Sequence, residues 1–208
     1  MKTDVLFDLD GTLVDSAGLH ARAFREALEP LWPQALAEFD YERVRGLATQ
    51  EAFALLGASD AERLARLASA KRTRYRELVE EGRLRTFPGA LELLEDLSSA
   101  GRRLYVVSSG SKESVTAALK ASGLRGYFHG VVTCEDVPHA KPAPDLYLAA
   151  LNRFRLDRAG CVAVEDAASG VAACKAAEID VIVVNNPVLG ASAEISAADL
   201  AALRRMLL

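Results

Sequence analysis

Asp8 and Asp10 stand one residue apart, directly after the apolar run Val5-Leu6-Phe7, and Gly11 follows them. A carboxylate at the end of a buried strand sits where open α/β sheets bind ligands. Gly11 lets the chain turn sharply there. Two aspartates this close repel each other, and they stay ionised only if a cation or a donor compensates. Three further segments carry groups of the same kind. Ser108-Ser109-Gly110 follows the run Leu104–Val107, Lys141 lies in His139–Asp145, and Glu165-Asp166 closes the run Cys161–Val164. Each has a plain reading when taken alone. The aspartates could form a capped turn, the serines could start a loop, the lysine could be solvated, and the acidic pair could cap a helix. Four such coincidences in one order are harder to accept.

The elements that would position these groups alternate. Val5–Phe7, Leu104–Val107, Val131-Val132, Cys161–Val164 and Val181–Val184 are short, β-branched and apolar on both faces, as central strands of a parallel sheet are. Helical patterns lie between them near 89–100, 111–122, 144–153 and 167–178, and Gly101 and Gly123 punctuate the first two. This alternation predicts a doubly wound, Rossmann-like parallel α/β sheet. Residues 16–86 break it with helix patterns and no strand candidate, which predicts a helical insertion after the first strand. The expected division is therefore a core of residues 1–15 and 87–208 and a cap of residues 16–86.

Half of the 208 residues are hydrophobic and 26% are charged, enough to bury a core and to exclude intrinsic disorder. No stretch approaches the roughly 18 apolar residues of a spanning helix, so no membrane partner is expected. The net charge of −4 argues against nucleic acid. Three cysteines without metal-ligand spacing read as reduced thiols, and a cytoplasmic location is expected. Oligomeric state is not readable.

The four motifs together resemble the haloacid dehalogenase-like superfamily, in its phosphatase and phosphomutase branch with a helical cap. The resemblance covers essentially the whole chain. It implies Asp8 as nucleophile, Asp10 as general acid/base, Lys141 as the lysine that holds Asp8, and Ser108 and Ser109 as phosphate-binding residues. It further implies Mg²⁺ as cofactor, held by Asp8, the Asp10 carbonyl and Asp166, with Glu165 a further or indirect ligand. Such residue types suit phosphoryl transfer, which needs an in-line nucleophile and positive charge around the equatorial oxygens. The expected partner is a small-molecule phosphate ester.

In the cap, Ala17, His20, Phe24, Ala27 and Leu28 share one helix face, so His20 is expected on the buried side. Lys71 falls inside the apolar stripe Leu64, Leu67, Tyr75, Leu78. A buried histidine is commonly a packing residue, and a lysine can snorkel. The resemblance instead brings both to the substrate. Residues 63–85 hold eight basic and three acidic residues, which would draw phosphate esters inward. Substrate selection is expected in the loop Arg45–Gln50, with Thr49 at the position where β-phosphoglucomutases carry arginine. A phosphatase is therefore expected, with a phosphomutase as the alternative. The missing lysine in residues 16–70 disfavours phosphonate hydrolysis, and Asp10 disfavours dehalogenation. A catalytically dead binding protein would lose Asp8, Asp10, Lys141 or Asp166, and none is lost.

Overall fold

The computed structural model describes residues 2–208. Strand β1 (Asp4–Phe7) turns into β2 (Val14–Asp15). Helices α1 (Ala17–Leu31), α2 (Pro33–Leu36), α3 (Thr49–Leu55) and α4 (Ala61–Glu80) follow, and the chain returns through β3 (Arg85–Thr86). The remainder alternates: α5 (Ala90–Ser99), β4 (Arg103–Val107), α6 (Lys112–Ala121), β5 (Gly130–Val132), α7 (Asp145–Phe154), β6 (Cys161–Glu165) and α8 (Ala168–Ala176). It ends with β7 (Asp180–Val184), α9 (Pro187–Gly190), β8 (Ser196–Ala197) and α10 (Leu200–Leu207).

Six parallel strands form one sheet in the order β5-β4-β1-β6-β7-β8. β1 takes a central place because its side chains are apolar on both faces. Val5 and Phe7 join one core with Leu93, Leu97, Val115, Leu119 and Leu203 from α5, α6 and α10. Leu6 joins the other, with Tyr147 and Ala150 of α7 and Ala173 and Cys174 of α8. From β1 the chain fills one side with β4 and β5, then the other with β6, β7 and β8. The switch opens a crevice at the carboxyl ends of β1, β4 and β6, where ligands bind in such sheets.

Helices α1, α3 and α4 own a third core of Phe24, Leu28, Phe53 and Leu67, separate from the two on the sheet. The side chain of Asp60 caps α4 by accepting from the Arg63 N–H at 2.7 Å. The insertion differs from expectation at one place. Arg85–Thr86 is a strand, paired antiparallel with Val14-Asp15. Two residues are too few to show a period-2 pattern. This short ladder is where the helices join the sheet. No helix among the described residues is long and apolar enough to cross a membrane.

Candidate active site

The sheet register sets the floor of the site. Phe7 lies level with both Val106 and Val164, so the residues that follow β1, β4 and β6 emerge together. The Asp8 N–H donates to Val164 O at 2.9 Å, and the Ser108 N–H donates to Val132 O at 3.0 Å. Gly11 is required twice over. Its φ is +86°, and a Cβ there would lie 2.1 Å from Asp166 Oδ2.

Lys141 is 1% exposed and ties the floor together. Its Nζ donates to Asp8 Oδ1 and Val107 O, both at 2.7 Å, and pairs with Glu165 Oε1 at 2.6 Å. The Tyr147 hydroxyl also donates to Glu165 Oε1. Burial pushes the Asp8 and Glu165 carboxyls up, while the ammonium pulls both down. Their two charges in turn hold Lys141 protonated against burial.

Asp166 has a different partner. Arg45, from the loop before α3, donates from Nε at 2.9 Å and Nη2 at 2.6 Å to Asp166 Oδ2. Burial and the Asp8 charge push the Asp166 carboxyl up to about 7 despite that guanidinium. The Asn186 amide donates to Asp166 O at 2.8 Å, and Asn185 donates to Gly11 O and Thr12 O. These bonds fix the two acidic loops against each other.

The second aspartate faces the helical insertion. His20 Nε2 lies 2.9 Å from Asp10 Oδ1, and Lys71 Nζ lies 2.8 Å from His20 Nδ1. Lysine only donates. The imidazole therefore accepts at Nδ1 and donates its Nε2–H to Asp10. The Tyr75 hydroxyl donates to the same Oδ1 at 3.1 Å, and its ring stacks on His20 with centroids 4.0 Å apart. Burial alone would raise the Asp10 carboxyl; His20 and Lys71 overcome it and hold it well below the usual carboxylate range. Burial and Lys71 lower His20, and burial lowers Lys71 to about 8.

Asp8, Asp10, His20, Thr49, Lys71, Ser108 and Ser109 all line one cleft. Ser108 Oγ accepts from the Gly110 N–H at 3.0 Å, whereas the buried Ser109 Oγ has no partner among the described residues. Asp10 Oδ1 is taken by two donors, and Oδ2 lies on the Gly110 side of the cleft. Glu165 and Asp166, both buried, are not among the residues that line the cleft. Carboxylate oxygens of Asp8, Glu165 and Asp166 fall within 4.8 Å of one another. Three buried carboxyls, all raised by burial, share two cations, Lys141 and Arg45, and form an all-oxygen set. That donor set fits a hard divalent cation.

Tyr147 and Asn186 escaped sequence reasoning, and Arg45 was placed only in the selection loop, without its partner. Tyr147 lies on the buried face of α7, where a phenol needs a polar partner, and that need was the available signal. Arg45 has its partner 121 residues away, and Asn186 follows β7 with no motif around it, so neither pairing has a local signature.

The sequence matches the haloacid dehalogenase-like hydrolase family over residues 5–184. It is 32% identical over 193 residues to protein CbbY of Rhodobacter capsulatus, covering 86% of this chain and 83% of that protein. It is 35% identical over 196 residues to hexitol phosphatase A of Escherichia coli (strain K12), covering 88% and 82%. The solved structure of CbbY from Rhodobacter sphaeroides in complex with phosphate aligns with a TM-score of 0.83 at 28% identity, covering 98% of this chain and 96% of that one.

Proposed function

The chain belongs to the haloacid dehalogenase-like hydrolases, and from that premise we propose that it is a Mg²⁺-dependent phosphatase of small phosphate monoesters. Residues 1–15 and 87–208 form its catalytic core, and residues 16–86 form the cap that closes over the substrate and excludes water. The observation that carries this reading is the division of labour between two aspartates. Asp8 is held by a buried lysine, and Asp10 is held by His20 and Tyr75. Two carboxylates with different partners can take different chemical roles.

Asp8 attacks phosphorus, its oxygen–phosphorus bond forms, and the bond from phosphorus to the leaving alcohol breaks. Asp10 gives that alcohol a proton. In the second step a water attacks the aspartyl-phosphate, Asp10 takes the water's proton, and phosphate leaves with the Asp8 carboxylate restored. Asp10 then gives this proton up to solvent, and an arriving phosphate dianion, which raises its carboxyl, lets it take up another for the next leaving alcohol. Oδ2 is the oxygen suited to both transfers, because Oδ1 already accepts twice. Lys141 keeps Asp8 oriented and ionised, and Ser108 and Ser109 offer hydroxyls to the phosphoryl oxygens. Asp8, Asp166 and the Asp10 carbonyl would hold Mg²⁺, which would neutralise charge on the phosphoryl oxygens.

A phosphatase is favoured over a phosphomutase because the cap wall carries Thr49 and no free guanidinium, and Arg45 is already paired with Asp166. A mutase must seat a second phosphate, a task suited to arginine. The similarity to a hexitol phosphatase supports the same reading. The test supplies β-glucose 1-phosphate with Mg²⁺ and a catalytic amount of the 1,6-bisphosphate. Phosphate release is expected, and faster conversion to glucose 6-phosphate would overturn the assignment.

A further inference from the structure

Strand β7 lies beside β6, with Val183 level with Glu165, so the residues that follow β7 emerge next to Asp166. They are two half-buried asparagines. Asn185 has a φ of +56°, in the left-handed region that asparagine tolerates better than most residues. Its Nδ2 donates to Gly11 O at 3.1 Å and to Thr12 O at 2.9 Å. Asn186 Nδ2 donates to Asp166 O at 2.8 Å, while its Oδ1 accepts the Leu189 N–H at 3.0 Å and so caps α9. Carbonyls only accept and a backbone N–H only donates, so these partners fix which end of each amide is nitrogen. The Thr12 hydroxyl closes the ring by donating to Asp166 Oδ1 at 3.4 Å.

The two side chains thus grip both loops that supply the metal ligands assigned above, and neither lines the cleft. Asn185 takes the two carbonyls after Asp10, which sets the tilt of that turn. The Asp10 carbonyl itself meets no donor among the described residues. We propose that Asn185 and Asn186 are positioning residues for the cation site, holding the Asp10 carbonyl and the Asp166 carboxylate at the spacing a divalent cation requires. The inference rests on the Mg²⁺ reading above. Mg²⁺ demands nearly octahedral ligands at about 2.0–2.1 Å, so a ligand loop free to drift binds it poorly. Residues that orient ligands without touching the metal typically carry about 10- to 100-fold of its affinity. Each asparagine also has a plain structural use, the positive φ at 185 and the helix cap at 186, and the test holds both constant.

Asn185→Gly keeps the left-handed backbone and removes the amide. Asn186→Ser keeps an oxygen to cap α9 and is too short to reach Asp166 O. For both variants and the wild type, isothermal titration with Mg²⁺ alone gives the dissociation constant, and p-nitrophenyl phosphate turnover is followed against Mg²⁺ concentration. Each variant is expected to bind Mg²⁺ about tenfold more weakly. At saturating Mg²⁺ each is expected to recover kcat to within about twofold of the wild type, because neither amide touches the substrate or the reacting atoms. Binding as tight as the wild type's in either variant overturns the inference. So does a kcat that stays low at saturating Mg²⁺ with an unchanged dissociation constant, the pattern a merely structural role gives. A wild type that binds no Mg²⁺ overturns the metal reading and the inference together.

Discussion

Arg45 gives two hydrogen bonds to a single oxygen, Oδ2 of Asp166, across 121 residues of sequence. The guanidinium neutralises the same carboxylate that is proposed to hold the metal. A cation on Asp166 and the seated Arg45 loop therefore oppose each other, and such coupling is reciprocal. Arg45→Gln is expected to tighten Mg²⁺ binding by about fivefold or more. Isothermal titration of the two proteins measures this, and equal or weaker binding in the variant would contradict it.

Asp8→Asn is expected to lower Mg²⁺-dependent turnover by about 1,000-fold or more, since an amide is not a competent nucleophile. Asp10→Asn retains the nucleophile and loses the base. With a good leaving group, which needs little protonation, it is expected to accumulate phosphorylated protein. Intact-mass spectrometry after acid quench reads the added phosphoryl group. Near-native turnover by Asp8→Asn would refute the covalent route.

Gly46 seats the same loop. Its φ is +78°, and a Cβ there would come 2.4 Å from Ser169 Oγ and 2.7 Å from Ala167 Cβ. The serine could rotate, but the alanine cannot, so Gly46→Ala must lift the loop off the core. KM for a sugar phosphate is expected to rise about tenfold, while the positive φ costs about 1 kcal/mol of stability. Unchanged KM, with Tm recorded alongside, would show that this contact does not govern closure.

Lys71 gives a pH signature. Burial lowers its ammonium to about 8, from an ordinary value of 10.5, with Asp10 opposing. Between those pH values the unfolded chain keeps a proton that the folded chain has released. Stability from this group therefore rises with pH across that window and is flat below it. Relative to Lys71→Met, the wild type is expected to gain up to about 3 kcal/mol between pH 8 and 10.5. Urea unfolding at several pH values measures the difference, and parallel curves would refute it.

The core elements were legible because a strand buried on both faces has no polar alternation to disguise it. Cys161–Val164 and Val181–Val184 announce themselves as apolar runs. The motif residues were legible for a related reason: polar groups directly after such runs have few structural uses. His20 and Lys71 could be placed on buried helix faces, but not paired, since periodicity gives direction and not distance. The Arg45–Asp166 pair was out of reach because it depends on how one loop settles on another. Nor could two-residue β3 be seen, because its partner β2 lies far back in the chain.

The position of β1 at the middle of the sheet has a consequence for synthesis on the ribosome. Asp4–Phe7 emerges before both of its sheet neighbours, Arg103–Val106 and Cys161–Val164. Until β6 has been made, this apolar segment lacks its second partner strand. Meanwhile α1, α3 and α4 have appeared with a core of their own and can consolidate first. Nascent chains halted before Cys161 are thus expected to carry a collapsed helical segment beside an unfinished sheet, with Asp8 delivered long before the Lys141 and Glu165 that complete its surroundings.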